Sequence, residues 1–212
     1  MPQLLLIRHG ESEGNEAGII QGQLDTGLTQ LGRLQSRHVA EALASLEVAA
    51  IVSSPLRRAR DTAEAIAGRL NLALSFDDDL MEYDYGKLSG LTRQQIRERY
   101  PALTPSGILA PRDGTWPQIP GEEGRDAFLA RAARAIERHR GNDGRIVAVT
   151  HGGFISAACH TVLGLDYLGR PARFRTANCS ITEFVTDRAG NWVLRRHNDD
   201  CHIGAHTMPL EA

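Results

Sequence analysis

The chain alternates short apolar runs with longer stretches in which apolar residues recur every three to four positions. Residues 3–8 read Gln-Leu-Leu-Leu-Ile-Arg, a continuous run of the kind found in strands buried on both faces. Residues 145–150 repeat that pattern most cleanly, 49–53 follow, and 72–76 form a weaker version. Between them, helical spacing predicts a helix opened by Thr29 as N-cap, with Leu31, Leu34, Val39, Ala42, Leu43 and Leu46 apolar. A second helix is expected to begin at Ser54-Pro55, with Pro55 in its first turn and a stripe of Ala59, Ala63, Ile66, Ala67 and Leu70. Residues 122–140 predict a third, with Phe128, Leu129, Ala132, Ala133 and Ile136 inward, and a fourth runs from 152 to about Leu163. Residues 9 to about 27 read as a polar, glycine-rich loop. Two late strands, 180–186 and 192–197, are joined by a turn at 187–191.

This order predicts an α/β three-layer sandwich with a mostly parallel central sheet, helices on both faces and an antiparallel late pair at one edge. One domain spanning 1–212 is expected. Residues 84–121 break the rhythm with many Gly and Pro positions and one short helical stretch at 93–100. A segment of that length in a compact fold is usually a functional lid or loop.

Composition narrows the function classes. The 212 residues are long enough to bury a full core, and the net charge of −2 provides no global field for nucleic acid or anionic lipid. No apolar run is long enough to span a bilayer, and the start lacks a basic segment before its apolar run, so neither a membrane anchor nor a signal peptide is expected. Cys159, Cys179 and Cys201 form no CxxC pair, which fits reduced thiols in a cytoplasmic protein. Oligomeric state is not encoded in any pattern read here.

Two predicted strands end in the same way. One runs into Arg8-His9-Gly10-Glu11 and the other into Thr150-His151-Gly152-Gly153. In open α/β sheets, ligands bind beyond the carboxyl ends of the strands, and a glycine there allows a sharp turn and close approach. Either ending alone is ordinary; the recurrence carries the signal. Arg58 lies in the first turns of a helix that directly follows a strand, which adds a cation and free helix N–H groups to the same rim. Glu82, between Asp77-Asp78-Asp79 and Tyr83-Asp84-Tyr85, has the surroundings in which a carboxyl can be kept neutral and donate a proton. A nitrogen nucleophile with cations suits attack on phosphorus.

These segments, in this order, resemble the motifs of the histidine phosphatase superfamily, in its phosphoglycerate-mutase-like branch: Arg8-His9-Gly10-Glu11 with Asn15, Arg58-Ala59 with Thr62-Ala63, Glu82 with Gly86, and Thr150-His151-Gly152-Gly153. Pro120-Gly121-Glu122 and Asn178-Cys179-Ser180-Ile181 resemble further segments of that branch. The resemblance covers nearly the whole chain. It implies His9 as the nucleophile that becomes phosphohistidine and Arg8, Arg58 and His151 as the phosphoryl pocket; an adjacent phosphate dianion would favour the charged form of His151. It implies Glu82 as proton donor and Asn15, Gln21, Gly22 and Gly152 as substrate contacts. It also implies no metal and no organic cofactor, and a small phosphorylated substrate.

Within the branch the alternatives are a phosphomonoester hydrolase and a cofactor-dependent phosphoglycerate mutase. Familiar mutases carry a run of arginines in the capping segment, whereas residues 101–120 hold only Arg112, which favours the hydrolase. Tyr85-Gly86-Lys87-Leu88-Ser89-Gly90-Leu91 resembles the mutase form of its loop. A phosphoryl-binding module without turnover is a third reading. A metallohydrolase is a fourth, drawn from His197, Asp199, Asp200, His202 and His206, whose spacing matches no familiar metal motif. Trp116, Trp192, Cys159 and His160 read as packing residues.

Overall fold

The computed structural model describes residues 2–103, 119–167 and 174–204. Six strands form one sheet among these residues: β1 (Gln3–Arg8), β2 (Ala50–Ser53), β3 (Leu74–Phe76), β4 (Arg145–Thr150), β5 (Ile181–Thr186) and β6 (Trp192–Asp199), in the order β3-β2-β4-β1-β5-β6. The pairs β2–β3, β2–β4 and β1–β4 are parallel; β1–β5 and β5–β6 are antiparallel. The sheet is therefore mixed and mostly parallel, with the antiparallel late pair at one edge.

The continuous apolar runs have a simple cause. Leu4 and Leu6 of β1, with Ile146 and Ala148 of β4, point into one core, and Leu5, Ile7, Val147 and Val149 point into the other. Alternate side chains of a strand face opposite ways, so a strand covered on both sides cannot spare a polar position. The second core is closed by α2 (Gln30–Leu43) and α3 (Arg57–Leu70), and the first by α5 (Arg125–Glu137) and α6 (Gly152–Leu163). Two short helices, α1 (Glu13–Glu16) and α4 (Arg93–Arg99), lie outside these layers.

Several local expectations need correction. The loop after β1 contains α1, with Ser12 as N-cap and Asn15 completing a capping box; a one-turn helix has too few residues to show a period. Helix α3 starts at Arg57, not at Ser54-Pro55, because Leu56 remains extended as the N-cap. Pro55 precedes the helix rather than occupying its first turn. In α2, Leu34 is 42% exposed, while Gly32, Gln35 and Ser36 are buried with Val39, Ala40 and Leu43. The inward face thus includes polar residues that the apolar count passed over. In α5, which begins after Gly124, Ala133 is only half-buried and Arg131 takes a place on the inward face. Thr29 caps α2 as expected, its hydroxyl accepting the Gly32 N–H at 3.0 Å.

The described parts of the irregular segment have a small core of their own. Leu88, Ile96 and Ile119 are buried together, flanked by Ile20, Tyr85, Leu91, Tyr100 and Leu103. The Lys87 N–H donates to the Pro120 carbonyl at 3.0 Å, and Gly86 adopts φ +49° where a Cβ would meet the backbone of Pro120 and Gly121. Arg112, Trp116 and His206 lie outside the described residues.

Candidate active site

The parallel register of β1 and β4 pairs Arg8 with Thr150. The next residue of each strand is a histidine, so the two rings emerge side by side at the carboxyl edge, with centroids 5.2 Å apart. The His9 N–H donates to the Thr150 carbonyl at 3.0 Å and extends the ladder by one step. From β1 the chain passes to α2 on one face, and from β4 to α6 on the other. A crevice between strands whose connections diverge is where α/β folds bind ligands.

His9 is 3% exposed. Its Nδ1 lies 2.7 Å from the Gly10 carbonyl oxygen. That oxygen can only accept, so Nδ1 carries the proton and Nε2 keeps its lone pair. Burial, followed by the charges of Arg58 and Arg8, holds the ring's ionisation well below the ordinary histidine range. The result is a neutral imidazole with one nucleophilic nitrogen. Its loop is fixed by the Gly10 N–H donating to Thr62 Oγ1 at 3.0 Å and by the Asn178 amide donating to the His9 carbonyl at 2.9 Å. Arg8 donates from Nη1 to the Thr176 carbonyl and lies against Gly152, where a side chain would approach its Nε and Cδ.

Arg58 is 1% exposed. Its two terminal nitrogens donate to the carbonyls of Leu24 and Gly22, each at 2.7 Å. Nε is buried with no partner among the described residues. Burial lowers its ionisation to about 10, against which the charges of Glu82 and Asp25 work, so it remains a cation at neutral pH. The start of α3 is less open than expected, since Asp25 accepts the Arg57 N–H at 2.6 Å. Arg57 and Arg60 belong to the solvated side of the helix, paired with Asp61 and Glu64.

His151 is the N-cap of α6 and is fully buried. Its Nε2 lies 2.8 Å from Ser54 Oγ, and its Nδ1 has no partner among the described residues. Burial, then Arg58, His9 and Arg8, lower its ionisation well below the usual value, which favours the neutral ring. Arg58 Nε and His151 Nδ1 are polar atoms whose chemistry suits contact with a phosphoryl oxygen.

Glu82 reaches the same end of the sheet. Its Oε2 accepts the Gly153 N–H at 2.9 Å and its Oε1 accepts the Tyr83 N–H at 2.8 Å. Gly153 has no side chain because the Glu82 carboxylate occupies the position of a Cβ. The neighbouring phenols of Tyr85 and Tyr167 are held protonated by burial, with the Glu82 charge adding to the effect.

The remaining expected contacts divide. Asn15 Oδ1 accepts from Ser12 and from the Asn178 amide at 3.3 Å, which links it to the His9 loop. Gln21 is buried beneath Gly14, and its side-chain oxygen accepts from Ser12 and Thr26. Gly22, at φ +52°, supplies the carbonyl that holds Arg58. Gly152 lies against Arg8.

Sequence reasoning missed Ser54 and Arg131 as parts of this assembly and gave Thr62, though it lies in a matching segment, no role of its own. Arg131 donates to the carbonyls of Asp79, Met81 and Glu82 at 3.0, 2.6 and 3.1 Å and pairs with Glu123 at 2.6 Å. A charged residue three positions after Phe128, on an otherwise apolar face, was the available signal. In the C-terminal region, His197 is bonded to Thr182 and the Arg175 carbonyl, and His202 to the Cys179 carbonyl. Among the described residues no group of three or more His, Cys, Asp or Glu is placed to hold a metal ion, and no helix is long and apolar enough to cross a membrane.

Comparison with known proteins agrees with this geometry. Residues 4–200 match the model of the histidine phosphatase superfamily, branch 1. A glucosyl-3-phosphoglycerate phosphatase of Mycobacterium tuberculosis is 36% identical over 201 residues, covering 90% of this chain and 86% of its own. A probable phosphoglycerate mutase GpmB of Salmonella choleraesuis is 33% identical over 216 residues, covering 98% of each. The solved structure of a mycobacterial glucosyl-3-phosphoglycerate phosphatase in complex with VO3 superposes with a TM-score of 0.82 at 32% identity, covering 94% of this chain and 100% of that one. The chain belongs to the histidine phosphatase superfamily.

Proposed function

We propose that the protein is a phosphomonoester hydrolase that passes the phosphoryl group through His9. The observation that carries this reading is the pairing of a neutral His9, fixed through Nδ1 with Nε2 open, with Arg8, Arg58 and His151 at the same strand ends. In the first step Nε2 attacks phosphorus, the N–P bond forms, and the ester P–O bond breaks. Glu82 gives its proton to the departing oxygen. In the second step Glu82 takes a proton from water, the water oxygen attacks phosphorus, the N–P bond breaks, and inorganic phosphate leaves. The guanidiniums balance charge on the equatorial oxygens, so most of the rate comes from positioning and electrostatics. Asn15, Gln21, Gly22 and Gly152 frame the pocket.

The substrate class is a small phosphorylated metabolite. The names of the relatives make esters of phosphoglycerate the first compounds to try. Within a single 1–212 domain, the described parts of the 84–121 segment, residues 84–103 and 119–121, are the part we expect to meet the non-phosphate portion. The reading needs no metal and no organic cofactor. Three free cysteines support a cytoplasmic setting.

A mutase is the second reading, favoured by the similarity to the probable phosphoglycerate mutase over 98% of the chain. One assay separates the two. The protein is given a panel of phosphomonoesters including 3-phosphoglycerate, with and without chelator, and free phosphate and isomer are both measured. The expected outcome is free phosphate at equal rates in both conditions, with none formed by His9→Ala. Isomer formation that depends on a bisphosphorylated primer would establish the mutase. Binding of phosphoesters with neither product would leave a phosphoryl-binding module.

A further inference from the structure

The two site histidines are gripped by opposite nitrogens. His9 is held at Nδ1 by a carbonyl, while His151 is held at Nε2 by a hydroxyl. A serine hydroxyl has one hydrogen to donate and two lone pairs. Ser54 is fully buried, and its Oγ already accepts the Leu56 N–H at 3.3 Å. Among the contacts of Ser54 Oγ, His151 Nε2 is the atom that can take the hydroxyl hydrogen. The opposite arrangement, with Nε2–H donating to Ser54, leaves that hydrogen without an acceptor. It also turns a bare Nδ1 lone pair toward any phosphoryl oxygen.

We propose that Ser54 is a positioning residue that fixes His151 as its Nδ1–H tautomer, so that the resting enzyme offers a neutral N–H at Nδ1 to the incoming phosphoryl group. The assignment rests on the phosphoryl-transfer reading for its purpose, but not for its geometry. The same tautomer then does two jobs. His9 spends its proton on Gly10 and presents a lone pair; His151 spends its lone pair on Ser54 and presents a proton. Which ring nitrogen carries the hydrogen is set by the partner of the other one. The unpartnered, buried state of His151 Nδ1 is what this arrangement requires. The burial and arginine charges that disfavour the imidazolium act in the same direction.

Segments of the backbone support the placement. The Ser54 N–H donates to the Val149 carbonyl at 2.9 Å, and the Ser53 hydroxyl donates to the Ser54 carbonyl at 2.9 Å. The backbone of Ser54 is thus tied to the strand that carries His151.

Long-range nitrogen–proton correlation spectra of the ligand-free full chain at pH 7.5 test this directly. The His151 signals are assigned by their loss in His151→Gln. The expected result is a pyrrole-like Nδ1 and a pyridine-like Nε2. In Ser54→Ala the two tautomers should mix and kcat/KM should fall on the order of tenfold, whereas Ser54→Thr keeps the hydroxyl and should keep the tautomer. A protonated Nε2 in the wild-type protein, with or without a protonated Nδ1, overturns the proposal. So does a Ser54→Ala variant in which the His151 pattern is unchanged. The wild-type spectrum requires no altered protein and no turnover. If His9→Ala retained activity, the hydrolase reading would fail while the tautomer assignment stood.

Discussion

Glu82 accepts N–H groups from Gly153 and Tyr83 on separate oxygens, which fixes the plane of its carboxyl at the mouth of the site. A group so held is of use only if the leaving oxygen needs a proton. Glu82→Gln keeps the size of the side chain, gives up one of the two accepted N–H bonds, and removes the transferable proton. Hydrolysis of alkyl phosphates should fall by about 10²–10⁴-fold, while p-nitrophenyl phosphate, whose leaving group departs as a stable anion, should lose far less. Equal losses for the two esters, measured as kcat/KM, would remove Glu82 from the acid role. At this scale the sequence pointed to five side chains, and the fold brings the segments that carry them to one end of the sheet. His9, Arg8, Arg58, His151 and Glu82 all lie in segments whose composition is hard to explain by packing. Ser54, Thr62 and Arg131 were harder to see because each acts through its contact with another residue. A serine before a proline or a threonine in a helix has many uses, and nothing in the local pattern specifies a partner 97 residues away.

Two elements meet at Glu82 and hold it in different ways. The first turn of α6 supplies the Gly153 N–H and a gap where a side chain would be. Gly153→Ala should therefore separate stability from activity. The added methyl improves helix propensity by up to about 1 kcal/mol but pushes the carboxylate aside, at the loss of one charged hydrogen bond worth about 1.5–3 kcal/mol. Urea unfolding should shift by no more than about 2 kcal/mol, with alkyl phosphatase activity at least tenfold lower. Helix α5 acts from the other side through Arg131, which is 8% exposed, lies over the Phe128 ring and clasps three carbonyls of the 79–82 segment. Arg131→Met fills similar space but leaves Glu123 and those carbonyls without their partner. Breaking a buried pair by removing one member costs about 3–5 kcal/mol, and the upper range is not expected here because Glu123 is partly exposed. A loss of about 3 kcal/mol in urea unfolding is the expected outcome; a change below half of that would mean the segment is held mainly by its other contacts. Periodicity located α5 but misjudged its inward face. Apolar counting assigns the core to Ala133, whereas a guanidinium with five donors is buried at Arg131 because the neighbouring backbone offers acceptors.

For the whole molecule, the decisive event is that β1 and β4 become neighbours. Between Arg8 and Arg145 lie 136 residues of sequence, and no local pattern announces the pairing; only the repeated His-Gly ending suggested it. Their adjacency concentrates two uncharged imidazoles and two guanidiniums in one buried place, and that concentration has a thermodynamic signature. His9 and His151 have folded-state ionisations well below the ordinary value of 6.5, from burial first and then from the arginines. In the unfolded chain both rings take up protons as pH falls through 6.5, while in the folded protein they do not. The unfolded state then binds more protons, so stability is fully present above pH 6.5 and is lost as pH drops below it toward the folded-state values. Each ring contributes a limiting slope of about 1.4 kcal/mol per pH unit. His139, His197 and His202 are shifted in the same direction, again chiefly by burial, but are only partly enclosed and add less. The lowered carboxyls of Asp79 and Asp199 begin to matter only at more acidic pH. Urea unfolding at pH 7.5, 6.5 and 5.5 should therefore give a profile that is nearly flat above 6.5 and falls below it by about 2–3 kcal/mol per unit. His151→Gln removes one of the two buried rings, so its slope should be shallower by about 1.4 kcal/mol per unit. An unchanged slope in that variant would mean that His151 takes up its proton in the folded state as readily as in the unfolded one, and the cluster would then not be the neutral, arginine-bordered pocket that attack by His9 requires.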